Sequence, residues 1–270
     1  MSTDTPSEAG GDRPAEPDTD RQFGPDDGVL VTDGLVKRFG GLTAVDGLSF
    51  AVGEGEILGF IGPNGAGKST TFNCIFGTYG PTDGTVYFKG NDVTGRPAHE
   101  MVRLGMARTF QEFAPLEDRP IVDNVALAFM SGKLVSFAGL RGETRAKAIE
   151  VCKRVGLEEQ MYQLPSEVPH AGMLKLELAR AIATEPDLLL IDEPFAGLSS
   201  AELGEISDIL RELRDEGMTL VVVDHNMHGL LDLIDRGIVI NFGALLAEGT
   251  PEEIKNDPRV QEAYLGGEMS

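Results

Sequence analysis

Nine consecutive residues constrain this chain more than any other stretch: Gly62-Pro63-Asn64-Gly65-Ala66-Gly67-Lys68-Ser69-Thr70. They match G-x-x-x-x-G-K-[ST] at every fixed position, the pattern of a loop whose backbone wraps a phosphate. An apolar run at 56–61 precedes them and reads as a buried strand, and helix-forming sequence through Phe72, Cys74 and Ile75 follows. The motif needs that context, because a helix N-terminus aims unpaired N–H groups at an anion. Glycines let the backbone close on phosphate oxygens. Lys68 is placed to reach the β- and γ-phosphates, and the Ser69 hydroxyl to coordinate magnesium. The expected ligand is a magnesium-bound nucleoside triphosphate.

Composition narrows the surroundings. The chain has 44 Asp plus Glu against 23 Lys plus Arg, a formal net charge of −21. Such a surface repels nucleic acid and argues against it as a partner. The acids are spread along the chain, an arrangement that concentrated salt would screen. The balance reads as adaptation to high cytoplasmic salt, the alternative being simply an acidic soluble protein. No apolar run approaches the ~20 residues of a membrane span; the best candidate, 121–140, is broken by Asp123, Asn124 and Lys133. The start, Met1-Ser2-Thr3-Asp4, lacks a basic-then-apolar leader, so the protein is expected to stay in the cytoplasm. Cys74 and Cys152 are too few for a disulfide framework or zinc site and read as small core hydrophobes.

Residues 1–28 are rich in Pro, Gly, Ser, Thr, Asp and Glu and are expected to form a disordered acidic tail. Strand patterns at 29–39, 42–52, 56–61 and 85–89 surround the phosphate loop. From about 112 to 172 the apolar spacing turns helical, at 122–130 and 144–155, and predicts a helical lobe inserted into the core. A helix at 173–184 then leads into a strand at 187–192. Ser199 and Glu202 have capping-box spacing ahead of a helix whose apolar face is Leu203, Ile206, Ile209, Leu210 and Leu213. A strand at 219–223, a short helix, strands near 238–241 and 244–248, and a last helix opened by Thr250 and Pro251 complete an α/β core with a largely parallel sheet.

Two further stretches carry chemistry. Leu188-Leu189-Leu190-Ile191-Asp192-Glu193-Pro194 is an apolar strand ending in two acids. Ligands of open α/β sheets bind at that carboxyl edge. Asp192 is expected to hold magnesium and Glu193 to polarise a water for attack on the γ-phosphate. Strand alternation is expected to point the two side chains apart. Val221-Val222-Val223-Asp224-His225 ends a second apolar strand, with His225 within reach of a γ-phosphate.

With Thr109-Phe110-Gln111 between them, these motifs occur in an order that resembles the ATP-binding subunits of ABC transporters. The resemblance spans about 29–268 as one ATP-binding domain. Arg38-Phe39-Gly40-Gly41-Leu42-Thr43-Ala44-Val45, Ala107-Arg108-Thr109-Phe110-Gln111, Ala196-Gly197-Leu198 and the ending Glu262-Ala263-Tyr264-Leu265-Gly266 are similar to the branched-chain amino-acid, LivG-like branch. This implies an ABC ATPase fold: a mostly parallel sheet, an antiparallel β subdomain and a helical lobe, with no appended domain after the last helix. It implies that Phe39 stacks on adenine with Val45 beside it, that the backbone of Gly65 to Ser69 cradles phosphate, and that Thr70 meets the α-phosphate. It also implies that Gln111 touches magnesium or the attacking water, that His225 holds the γ-phosphate, and that 196–199 crosses to a second subunit.

The implied activity is ATP hydrolysis at the cytoplasmic face of a membrane. It would power uptake of branched-chain or related amino acids through separate permeases served by an extracytoplasmic solute receptor. Another small solute, such as urea or an amide, and an ABC ATPase unconnected to transport are the alternatives. One departure stands out. Counting back from Ala179-Arg180-Ala181 places the family signature at Val168-Pro169-His170-Ala171-Gly172, with Pro169 where a serine is usual. Two readings remain open: a weakened signature in an asymmetric heterodimer, or a working variant of His170 and Ala171 in which His170 donates its own bond; a second ATP-binding subunit is implied, as a heterodimer or a homodimer.

Overall fold

The computed structural model describes residues 22–109, 114–129 and 142–265. At its centre lies β3 (Ile57–Ile61), in a six-stranded sheet of order β10-β9-β3-β8-β7-β6. The other members are β6 (Met106–Arg108), β7 (Leu188–Asp192), β8 (Thr219–Val223), β9 (Arg236–Asn241) and β10 (Ala244–Gly249). All pairings are parallel except β9 with β10. A second sheet, β2-β1-β4-β5, is antiparallel and comprises β1 (Leu30–Phe39), β2 (Leu42–Val52), β4 (Asp83–Phe88) and the two-residue β5 (Asn91–Asp92).

The sequence explains why the central strands are buried on both faces. Every residue of β3, β7 and β8 is buried, and each strand is a near-continuous apolar run, as expected where a parallel sheet is covered on both sides. Strand periodicity then sorts their side chains. Ile57, Ile61, Leu189, Ile191, Leu220 and Val222 enter one core with the helical elements. Leu58, Phe60, Leu188, Leu190, Val221 and Val223 enter the other, beneath the antiparallel sheet and α1 (Lys68–Ile75). Phe60 lies 5.5 Å from Phe50 of β2 and 5.9 Å from Phe72 of α1, ring centre to ring centre, tying both to the central strand.

Between β6 and β7 the described residues contain no strand. They form α3 (Ile121–Ala126), a 3-10 turn (Leu127–Phe129), α4 (Glu143–Arg154), a second 3-10 turn (Pro165–Glu167) and α5 (His170–Ile182). This is the inserted helical lobe. Beyond β7 come α6 (Ser200–Asp215) and α7 (Met227–Leu233), then α8 (Pro251–Asn256) and α9 (Pro258–Leu265). The expected capping box forms, the Ser199 hydroxyl accepting from the Glu202 N–H, and the expected cap at Thr250 accepts from the Glu253 N–H.

Three expectations need correction. The single last helix is two, because Pro258 has no N–H to continue a ladder and holds Asp257 extended at ψ 117°. A short helix, α2 (Ala98–Leu104), and strands β5 and β6 had no periodic signal long enough to find. The boundary at residue 28 is late: Phe23 is buried and its N–H donates to Asp33 Oδ1 at 3.4 Å. Residues 1–21 of the expected tail lie outside the described residues. Cys74 and Cys152 are both buried, as expected, and burial pushes the Cys152 thiol up to about 12. Among the described residues, no helix is long and apolar enough to cross a membrane.

Candidate functional site: the carboxyl rim of the parallel sheet

Parallel pairing brings the carboxyl ends of β3, β6, β7, β8 and β9 to one rim. The phosphate loop leaves β3 there and feeds α1, whose first residue is Lys68. Gly65 and Gly67 have φ of 81° and 106°, a region that costs side-chain-bearing residues energy. At Gly67 a Cβ would also strike the carbonyl oxygen of Ala44. At Gly65 it would meet nothing within 4 Å, so the loop opens outward there.

Lys68 lies across this loop, its Nζ donating to the carbonyls of Gly62 at 2.5 Å and Pro63 at 3.1 Å. Burial holds its pKa below the ordinary lysine range, and the charges of Glu193 and Asp192 oppose that shift. Ser69 is exposed and Thr70 half-buried; Asn64 is exposed, Ala66 buried and Pro63 half-buried.

Asp192 closes β7. Its N–H donates to the Thr109 hydroxyl at 3.0 Å, and its Oδ2 accepts from Arg108 at 3.0 Å. Burial pushes its carboxyl up, while the hydrogen bond and charge of Arg108 pull it down.

Glu193 turns away by a means other than strand alternation. Its φ is 52°, left-handed backbone that costs a non-glycine residue about 1–2 kcal/mol. Its N–H donates to the Val223 carbonyl at 2.7 Å, which anchors the strained turn to the end of β8. Strain of this kind gathers at functional sites, where surrounding structure holds it in place. The Glu193 Oε2 lies 3.7 Å from His225 Nδ1, with both side chains reaching solvent.

Asp224, next to His225, is buried, and burial raises its pKa. Its Oδ2 accepts from the Phe195 N–H at 2.8 Å and its Oδ1 from the Asn226 N–H at 2.7 Å. It therefore joins the segment after Glu193 to the segment carrying His225.

The structure thus brings Lys68, Asp192, Glu193 and His225 to one rim. Phe39 ends β1 half-exposed, at right angles to the Tyr79 ring 5.5 Å away and with Lys37 Nζ 5.0 Å from its ring centre. Val45 differs from expectation. It is fully buried in the core under the antiparallel sheet, because its position in β2 points inward, so it supports the loop by packing. Gln111 lies outside the described residues.

At the variant signature, Pro169 is the N-cap of α5 with no side-chain cap bond, and His170 Nε2 lies 3.0 Å from the Ala196 carbonyl of the same chain. Residues missed in the sequence are Arg108, Thr109, Asn73 and Asp224. No sequence signal marked them: β6 is too short to read from periodicity, and the burial of Arg108 beside a carboxylate is a tertiary fact.

The donor set suits magnesium. A serine hydroxyl and a carboxylate are hard oxygen ligands, and magnesium fills its remaining positions from phosphates and water. Among the described residues no cluster of three or more His, Cys, Asp or Glu could hold a metal unaided. A glycine-lined loop at a helix start, a lysine and two strand-end acids on a parallel sheet define a phosphate-binding α/β nucleotide protein.

The particular family follows from likeness to known proteins. Residues 45–196 match the family model described as ABC transporter, and 244–269 match that of the branched-chain amino acid ATP-binding cassette transporter. The chain is 38% identical to the high-affinity branched-chain amino acid transport ATP-binding protein LivG of Salmonella typhimurium, over 88% of this chain and 98% of that one. A solved ATP-binding cassette of an ABC transporter in its ADP conformation superposes with a TM-score of 0.81 at 30% identity, covering 88% of this chain and 98% of the other. A dimeric cassette bound to ADP and Pi, in a post-hydrolysis state, superposes at 0.70 with 26% identity, covering 82% and 98%. The chain belongs to the ATP-binding proteins of the ABC transporter family.

Proposed function

We propose that this chain is the ATP-hydrolysing subunit of an importer for branched-chain or related amino acids, acting on separate membrane-spanning subunits from the cytoplasmic face. The observation that carries the catalytic part is the convergence of Lys68, Asp192, Glu193 and His225 on the rim where α1 begins. The solute rests on the relatives alone, because solute contacts belong to other subunits.

Phosphates enter the loop at Gly65 to Ser69, and Lys68 exchanges its bonds to Gly62 and Pro63 for phosphate oxygens. Phe39, half-exposed at the end of β1, offers its ring to adenine. Ser69 and Asp192 are the side chains that would hold magnesium, with Gln111 as a further contact. When bound, magnesium supplies positive charge against the phosphate oxygens. Glu193 accepts a proton as water attacks the γ-phosphorus, the bond to the bridging oxygen breaks, and ADP and phosphate leave. His225, beside Glu193, orients the water and the γ-phosphate.

One chain supplies half of each closed site. The start of α5 and the 168–172 segment of one subunit cover the nucleotide of another, so ATP holds two subunits together and hydrolysis parts them. With Pro169 in place of a hydroxyl, the site covered by this chain's signature hydrolyses weakly, and a heterodimer is the fitting assembly. A solute receptor acts indirectly, through the permeases. Calorimetry with magnesium and ATP tests the reading. A saturable heat signal that Lys68→Ala removes is expected; no heat in the intact protein would overturn it.

A further inference from the structure

Arg108 ends β6 almost wholly buried, and its partner Asp192 is more deeply buried still, with side-chain exposures of 7% and 4%. One guanidinium nitrogen donates to Asp192 Oδ2 at 3.0 Å. Another donates to Asn73 Oδ1 at 2.7 Å, and the group lies 5.7 Å from the Phe72 ring centre. Asn73 sits four residues after Ser69 on α1. Residues at that spacing share one helix face, one turn apart. The planar fork of arginine fixes the directions of both bonds at once. One rigid cation thus grips the Asp192 carboxylate with one arm and the helix face carrying Ser69 with the other. The Asp192 oxygen used is Oδ2.

We propose that Arg108 is a positioning residue that sets Ser69 and Asp192 relative to each other as a prepared pair for magnesium. The inference rests on the reading of the rim as a magnesium–ATP site. Two features support it. The bridge is buried, where an ion pair contributes little net stability against an apolar alternative, and its two arms reach the strand end and the helix face at once. The same strand end carries Thr109, whose N–H donates to the Leu190 carbonyl and whose hydroxyl accepts from the Asp192 N–H, both at 3.0 Å. Side chain and main chain of Asp192 are therefore held by Arg108, the last residue of β6, and by Thr109, the residue after it.

The test compares ATP affinity by calorimetry in magnesium and in EDTA, for the full chain and two variants. Arg108→Lys keeps the charge and loses the fork. Asn73→Ala releases the helix arm and leaves the buried Arg108–Asp192 pair in place, and thermal melting checks that both variants fold. Side chains that orient metal ligands alter metal affinity by roughly 10–100-fold. The expected result is a loss of about tenfold or more in the tightening that magnesium gives, with EDTA affinity within about twofold of the parent protein. Equal loss in magnesium and EDTA, or no loss in either, overturns the inference and leaves the rim reading standing. A parent protein that magnesium does not tighten at all overturns the rim reading, and this inference with it.

Discussion

The sheet rim and the start of α5 are both phosphate-facing in the proposed assembly, yet they are built differently. At the rim the buried acids and the strained turn are held by neighbouring strand ends: Asp192 by Arg108 and Thr109, the Glu193 backbone by Val223, and Asp224 by two N–H groups. The start of α5 has Pro169, which donates nothing, and a His170 ring that meets the Ala196 carbonyl of its own chain. The rim is fixed by strand ends of a buried sheet. The other region depends on a helix N-terminus and one exposed ring. Precision belongs to the region anchored in the core, and dependence on a second subunit to the other.

Glu193→Gln should break the rim most sharply. Loss of a general base costs about 10²–10⁴ in turnover, so phosphate release should nearly stop while calorimetric ATP affinity stays within a few-fold. Turnover preserved in this variant would remove Glu193 from that role. The contrast between regions sharpens next. In a reconstituted heterodimer, Lys→Ala in this chain's loop should cost far more turnover than the same change in its partner's, and equal losses would contradict a weak signature. Pro169→Ser should raise turnover at the site this chain covers. A hydrogen bond to a charged group contributes about 1.5–3 kcal/mol, roughly ten- to a hundredfold, read as ATPase rate. An unchanged rate favours the working-variant reading.

Leu176→Ala, in the fully buried face of α5, should lower stability by about 2–5 kcal/mol in urea melts. Its effect on the rim's ATP affinity should be small if the two regions are mechanically separate. The smallest effect concerns Cys152. With its thiol raised to about 12 by burial, almost no thiolate exists at pH 8. Maleimide should label neither cysteine until the chain is unfolded; rapid native labelling of Cys152 would show that the helical lobe opens.

Much of the rim is legible because it is local. The phosphate loop, Asp192 with Glu193, and His225 each end an apolar strand, and parallel strands deliver their ends to one edge whatever the helices between them do. Arg108 is harder to read. Its partners are 84 and 35 residues away, and no periodicity encodes which carboxylate a buried cation will meet. Strand alternation alone does not give the direction of Glu193, which comes from a left-handed turn held by β8.

By itself the sequence determined the parallel core, the sorting of β3, β7 and β8 side chains into two packed faces, the helix caps and the residue types of the phosphate site. These follow from short-range rules: period-two alternation, unpaired helix-terminal groups and backbone freedom at glycine. Only tertiary structure decided that Val45 packs inward, that Phe23 joins the fold, that Pro258 divides the last helix, and that Arg108 links Asp192 to the helix face of Ser69. Such outcomes depend on which distant surfaces exclude water together, a condition that the packed molecule satisfies and no local stretch of chain can express.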